Sequence, residues 1–220
     1  MTEIKLKNYT LKYNPEDPYD IFGIPDPNSI YKCSRDCGIK GFDYIHKIVM
    51  LTGKHPEALA ILEEYLAEIP GKINCQNRTG WTPLKLACLN SRTDSTEETV
   101  EFLLSHPAID INLQSINGGT ALIMACRSSN IESTERTVEL LLAHPAINVN
   151  LQDKDGLTAL HWACRNSGTY STERTVEILL AHSAIYVNLR DKDGLTALHW
   201  ACQLNKIQIV RMVLNYSNIV

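Results

Sequence analysis

The side chains best suited to chemistry in this chain are its seven cysteines and seven histidines. Cys88, Cys126, Cys164 and Cys202 each follow an alanine and recur at one fixed interval. None sits in a CxxC pair, and no histidine stands at zinc-finger spacing from them. A small apolar side chain repeated at one buried position accounts for them more simply than metal or disulfide chemistry. Cys33 and Cys37 lie off that interval as a C-x-x-x-C pair without a nearby histidine, which is a weak metal pattern. A GxSxG elbow, a phosphate loop, an HExxH pair and an off-interval Cys–His pair are all missing from the sequence. No catalytic residue, metal or cofactor is therefore expected.

The elements that position these residues follow from an internal repeat. NCQNRTGWTPLKLAC, NLQSINGGTALIMAC, NLQDKDGLTALHWAC and NLRDKDGLTALHWAC begin at 74, 112, 150 and 188, one even interval throughout. Between them run STEETVEFLLSHPAIDI, STERTVELLLAHPAINV and STERTVEILLAHSAIYV. A fixed period in this range marks units that contact mainly their neighbours. Asp153-Lys154-Asp155-Gly156 is turn-forming, with Gly156 free to take positive φ. Thr158 then stands at a helix N-cap, and in the first full unit Thr82 is followed by Pro83, pre-shaped for the first helical position. Leu160, Ala163 and Cys164 make one small apolar stripe. A second helix starts near Ser171-Thr172-Glu173 and buries Val176, Leu179 and Leu180, and Ser95 with Glu98 has capping-box spacing. Pro107 and Pro145 help to end that helix.

TPLKLAC, TALHWAC, TVEILL and the AIxVN ending resemble the ankyrin repeat, whose usual pattern is D-x-x-G-x-T-P-L-H-x-A-A, a second helix, then G-A-D-V-N. The resemblance covers about 74–214 and implies an all-α ankyrin-repeat solenoid with a β-turn or hairpin plus an antiparallel helix pair per repeat. It also implies that His161 and His199 start the inner helix and hydrogen-bond the turn. The period exceeds the usual length of about 33 residues, with most of the excess between the two helices, as in RNSGTYSTE (165–173). The extended style is similar to that of ankyrin proteins encoded in large numbers by giant DNA viruses. The expected organisation is an extended Pro/Tyr-containing arm (1–35), a degenerate capping repeat (36–73), repeats at 74–111, 112–149 and 150–187, and a C-terminal repeat (188–220). Shifting the frame back by the same interval sets Met50 opposite Cys88, so FDYIHKIVML and PEALAILEEYLAE read as the cap's helices, without the turn and Thr motifs. Pro15, Pro18, Pro25 and Pro27, interleaved with Tyr13, Tyr19 and Phe22, read as an extended segment, either packed over the cap or free as a tail.

In the family, partners contact the turn tips and the exposed side of the first helix. Carried over by position, this gives Arg78, Thr79, Trp81, Leu89 and Asn90 in the first full unit, and Ile116, Asn117, Gly119, Arg127 and Ser128 in the second. The third supplies Lys154, Asp155, Leu157, Arg165 and Asn166, and the fourth Lys192, Asp193, Leu195, Gln203 and Leu204. Trp81, Leu157 and Leu195 are apolar where a side chain should point outward, and either anchor a partner or pack against the neighbouring turn.

The expected function is a non-enzymatic scaffold that binds a protein partner. The alternative is a ubiquitin-ligase substrate adaptor recruiting through the arm or cap, although no F-box-like segment is recognisable. Asn112, Asn150 and Asn188 also resemble asparagines that are hydroxylated in other ankyrin repeats, against a plainer role in bonding the turn backbone. The helix carrying Ile207, Ile209, Val210, Met212, Val213 and Leu214 is apolar on more than one face, so either NYSNIV folds over it or a partner or second copy covers it, with weak self-association expected. A formal net charge of -4 provides no general field for nucleic acid or anionic membrane. No apolar run approaches membrane-spanning length and MTEIKLKNYT has no signal core, so a soluble, cytoplasmic protein is expected (host cytoplasm, if viral).

Overall fold

The computed structural model describes residues 2–5, 10–13, 43–55 and 57–217. Cys33, Cys37, Phe42 and the prolines of the N-terminal arm lie outside them, as do residues 218–220. At the N-terminal end β1 (Thr2–Lys5) pairs antiparallel with β2 (Thr10–Tyr13), Thr2 opposite Tyr13 and Lys5 opposite Thr10. The other described elements are α-helices and one 3₁₀ turn. The chain divides into two compact units, Met1–Asp110 and Ile111–Val220.

In the first unit, α1 (Tyr44–Val49) packs on α2 (Ala58–Glu68), and α1 also meets α3 (Pro83–Leu89), which packs on α4 (Glu97–Ser105). A 3₁₀ turn, Pro70–Lys72, follows α2. Tyr44, Ile45, Ile48, Leu62 and Tyr65 close the core between α1 and α2, the two tyrosine rings lying 5.7 Å apart. Full burial of such side chains contributes about 1.5–3 kcal/mol each. The cap retains more of the repeat than its sequence suggests. Asp43 is the N-cap of α1 and His46 closes a capping box on it, as threonine and histidine do in later repeats. The cap's true frame therefore sets Asp43 opposite Thr82, one position beyond the even shift, and Val49 rather than Met50 stands opposite Cys88.

In the second unit, α5 (Ala121–Ser128), α7 (Ala159–Asn166) and α9 (Ala197–Gln203) pack in sequence. Behind them α6 (Glu135–Ala143), α8 (Glu173–Leu180) and α10 (Ile207–Ser217) do the same. Each inner helix begins on a threonine, Thr82, Thr120, Thr158 or Thr196, whose hydroxyl accepts the N3 backbone N–H. Thr96, Thr134 and Thr172 cap three of the outer helices in the same way. Thr96 thus replaces the Ser95–Glu98 box expected from spacing. Ser95 is buried, donating its N–H to the Asn90 carbonyl and facing Thr52 Oγ1 at 3.1 Å. Leu160, Ala163, Cys164, Val176, Leu179 and Leu180 are all buried, as the stripes require. Cys202 departs from the pattern: it is exposed, whereas Cys88, Cys126 and Cys164 are buried.

The extra residues between the paired helices form a shelf. The Asn130 N–H donates to the Tyr170 carbonyl at 3.0 Å, and its amide group to the Thr169 carbonyl at 2.9 Å. Asn166 Nδ2 reaches back to the Arg127 carbonyl at 2.9 Å. Beneath it Ser129 Oγ meets Ser171 Oγ at 3.0 Å and Thr175 Oγ1 at 2.7 Å, all three buried. A longer loop here is stabilised because each copy satisfies its neighbour's polar groups.

Candidate functional site

The turn tips are built on one residue each. Asp153 Oδ1 accepts the N–H groups of Asp155 and Leu157, both at 2.9 Å, and Asp191 Oδ1 does the same for Asp193 and Leu195 at 3.0 and 2.8 Å. Asn77 plays that part in the first unit, toward Thr79 and Trp81. Gly118 and Gly156 stand at φ 78° and 81°, and a Cβ there would meet Asp153 Cα at 2.7 Å and Asp191 Cα at 2.8 Å. Only glycine permits both the conformation and the approach. The tips in the second unit are then joined, with Lys154 N–H on the Asn117 carbonyl at 2.9 Å and Lys192 N–H on the Asp155 carbonyl at 3.0 Å.

These joined tips hold Ile116, Asn117, Lys154, Asp155, Lys192 and Asp193 out in solvent, and Arg78 is exposed on the tip of the first unit with Thr79 half-buried. Along the inner helices, Arg127, Arg165 and Asn166 are half-buried, and Gln203 and Leu204 are exposed.

Several expected contact residues are not surface residues. Trp81 is 6% exposed and Leu157 4%; each follows the turn glycine, its carbonyl accepting the N–H of Asn77 or Asp153 and its own N–H donating to Oδ1 of that same residue. Of the two readings for this position, packing holds for Trp81 and Leu157, and Leu195 is half-buried. Leu89, Asn90 and Ser128 are buried, as is Gly119. Asn90 closes α3, its amide group donating to the Leu86 carbonyl at 3.0 Å, and the Ser128 carbonyl accepts the N–H groups of Ile131, Glu132 and Ser133. Helix-closing residues are consumed by the backbone they terminate.

The inner helices also carry a feature absent from the expected set. Trp162 Nε1–H donates to Asp153 Oδ2 and Trp200 Nε1–H to Asp191 Oδ2, each at 2.8 Å. Tip carboxylate and inner helix are thereby locked together. Although desolvation opposes it, the indole of Trp200 and the N–H groups of Leu195 and Asp193 hold the Asp191 carboxyl below its usual value. Over these rings lie Arg127, 5.7 Å from the Trp162 centroid, and Arg165, 5.3 Å from Trp162 and 4.6 Å from Trp200. The sequence held the signal: arginine recurs at the repeat interval beside a recurring tryptophan.

The histidines are framework. His161 Nδ1 meets Thr158 at its N–H and hydroxyl, and Nε2 faces the Leu195 carbonyl at 3.3 Å. His46 does the same between Asp43 N–H and the Trp81 carbonyl. Burial lowers the pKa of both rings. Cys75 Sγ lies 3.9 Å from His46 Nδ1, a Cys–His approach that the sequence does not announce. It makes no nucleophile–base pair: Nδ1 already accepts the Asp43 N–H, and burial pushes the Cys75 thiol up to about 12. Asn112 and Asn150 bond the backbone that leads into the following turn, at the far end of their own repeat, rather than their own turn. Their amide groups donate to the carbonyls of Ala146 and Ala184 at 2.7 Å, and their Oδ1 atoms accept from Asn148 and Tyr186 at 2.9 Å. No helix among the described residues is long and apolar enough to cross a membrane.

A comparison with curated proteins finds no match. The family model for ankyrin repeats (3 copies) matches residues 45–136, 96–172 and 131–220. These spans take in the helix pairs from α1 onward and the joined tips, and ankyrin repeats are protein–protein interaction modules. The chain belongs to the ankyrin-repeat family.

Proposed function

We propose that the chain is a non-enzymatic scaffold that holds a protein partner on the tips and exposed inner-helix positions of its repeats. The observation that carries this reading is the joined tips of the second unit. Backbone bonds and closely packed glycines fix the chain, while Asn117, Lys154, Asp155, Lys192 and Asp193 project from it into solvent. A fixed backbone with free, varied side chains binds without a large ordering cost. The corrected contact set is Arg78, Thr79, Ile116, Asn117, Arg127, Lys154, Asp155, Arg165, Asn166, Lys192, Asp193, Leu195, Gln203 and Leu204. A ubiquitin-ligase adaptor recruiting through the arm or the cap has no observation of its own in its favour, whereas the exposed tips favour partner binding by the repeats.

The test uses three tagged forms of the whole chain against cell lysate, with captured proteins quantified by mass spectrometry. One is unaltered, one carries Lys154→Glu and Lys192→Glu at the tips, and one carries Arg136→Glu and Arg174→Glu on the outer helices. A partner that is lost with the tip variant and kept with the outer variant supports the reading. Loss with the outer variant alone contradicts it.

A second reading concerns the repeat at 188–217. His199 and Cys202 are exposed and Leu214 is 44% exposed, whereas their counterparts His161, Cys164 and Leu180 are buried. We propose that a second copy of the chain covers this face weakly.

A further inference from the structure

We propose that the face formed by Arg127, Trp162, Arg165 and Trp200 in the second unit recognises an acidic peptide segment, by seating its carboxylates on the two guanidinium groups. This rests on the partner-binding reading and names the chemistry of the partner. Both guanidinium carbons lie over the Trp162 ring, at 5.7 and 5.3 Å from its centroid, so the two charges share one aromatic platform. Arg165 also lies 4.6 Å from the Trp200 centroid. Neither arginine is paired with a carboxylate among the described residues. The tryptophans cannot turn away, because Asp153 and Asp191 hold their indole N–H groups.

A guanidinium held over a ring face by its charge still has N–H donors to turn outward, and its fork can give a carboxylate two parallel hydrogen bonds. The side-chain ordering that normally opposes such a contact has already occurred in the free protein. Alternate residues of an extended peptide lie about 7 Å apart on one side, so such a peptide can present more than one Asp or Glu to this face. Nucleic acid fits less well. Asp155 and Asp193 are exposed on the neighbouring tips and would repel a continuous run of phosphates, whereas a peptide can place acids only where the arginines are.

A random dodecapeptide phage library is selected on the whole chain and on its R127Q/R165Q variant, with thermal melting of both forms confirming that each is folded. Sequences rich in Asp and Glu on the unaltered chain, lost on the variant, support the proposal. A synthetic copy of the top acidic peptide should bind the variant about tenfold more weakly or worse, since a hydrogen bond to a charged group is worth about 1.5–3 kcal/mol. R127K/R165K keeps the charge without the stacked fork and should fall between the two. Acidic peptides that bind the variant equally well overturn the assignment to these arginines. Neutral or apolar selected peptides overturn the proposal but leave partner binding standing, and selection of nothing counts against both. Tighter binding of a single-stranded twenty-nucleotide RNA than of the acidic peptide overturns the proposal in favour of nucleic acid.

Discussion

At the residue scale, the histidines and one lysine show how this framework responds to pH. His46 and His161 are buried and hydrogen-bonded as neutral rings, and desolvation lowers both from an ordinary value of 6.5. The unfolded chain therefore takes up protons before the folded one does, and stability falls as pH drops below about 6.5. Lys85 occupies the corresponding position in the first full unit, with its ammonium on the Gly80 carbonyl at 2.7 Å. Burial pushes it down to about 7 from 10.5, so its contribution to stability rises with pH between those values. Urea unfolding from pH 5 to about 8.5, below the range where the unfolded thiols ionise, should give a midpoint that climbs across the range. H46Q/H161Q should flatten the acid limb and Lys85→Met the alkaline one. An unchanged acid slope in the histidine variant would contradict the assignment. The helix-start motif made the histidine positions legible in the sequence. The cap's version was hidden, because Asp43 does there what threonine does elsewhere, and only hydrogen-bond geometry equates the two.

At the element scale, the helices were legible because threonine, glycine and apolar spacing act locally, and the period repeats each signal. Burial of the residue after the turn glycine was not legible, since it depends on how the turn closes onto the helix. Nor was the shelf between paired helices: Asn130, Ser129 and Ser171 satisfy groups a whole repeat away, a pairing with no local signature. α10 carries the element-level prediction. Ile207 is 63% and Leu214 44% exposed, while Ile209 and Val213 are buried. Sedimentation velocity at increasing concentration should show reversible self-association that Ile207→Lys with Leu214→Lys abolishes without lowering the melting temperature. A sedimentation coefficient independent of concentration for the unaltered chain would remove the second-copy reading.

At the scale of the whole molecule, repetition separates framework from surface. Asp153 and Asp191, Gly118 and Gly156, and Trp162 and Trp200 carry the same bonds from one repeat to the next in the second unit. The side chains that differ between repeats stand mainly on the tips and inner helices, where Ile116 and Asn117 precede Lys154 and Asp155, and Gln203 follows Arg165. The sequence identified these positions but not which were free, because exposure depends on neighbours. The arginine–tryptophan ladder was harder to read because the Arg127–Trp162 and Arg165–Trp200 pairs each straddle two repeats. Hydrogen–deuterium exchange of the chain, alone and with its captured partner, asks directly which face of the repeats is occupied. Exchange should slow in residues 153–166 and 191–203, with the outer helices α6 and α8 unaffected. Slowing confined to α6 and α8 would contradict binding on the tips and inner helices.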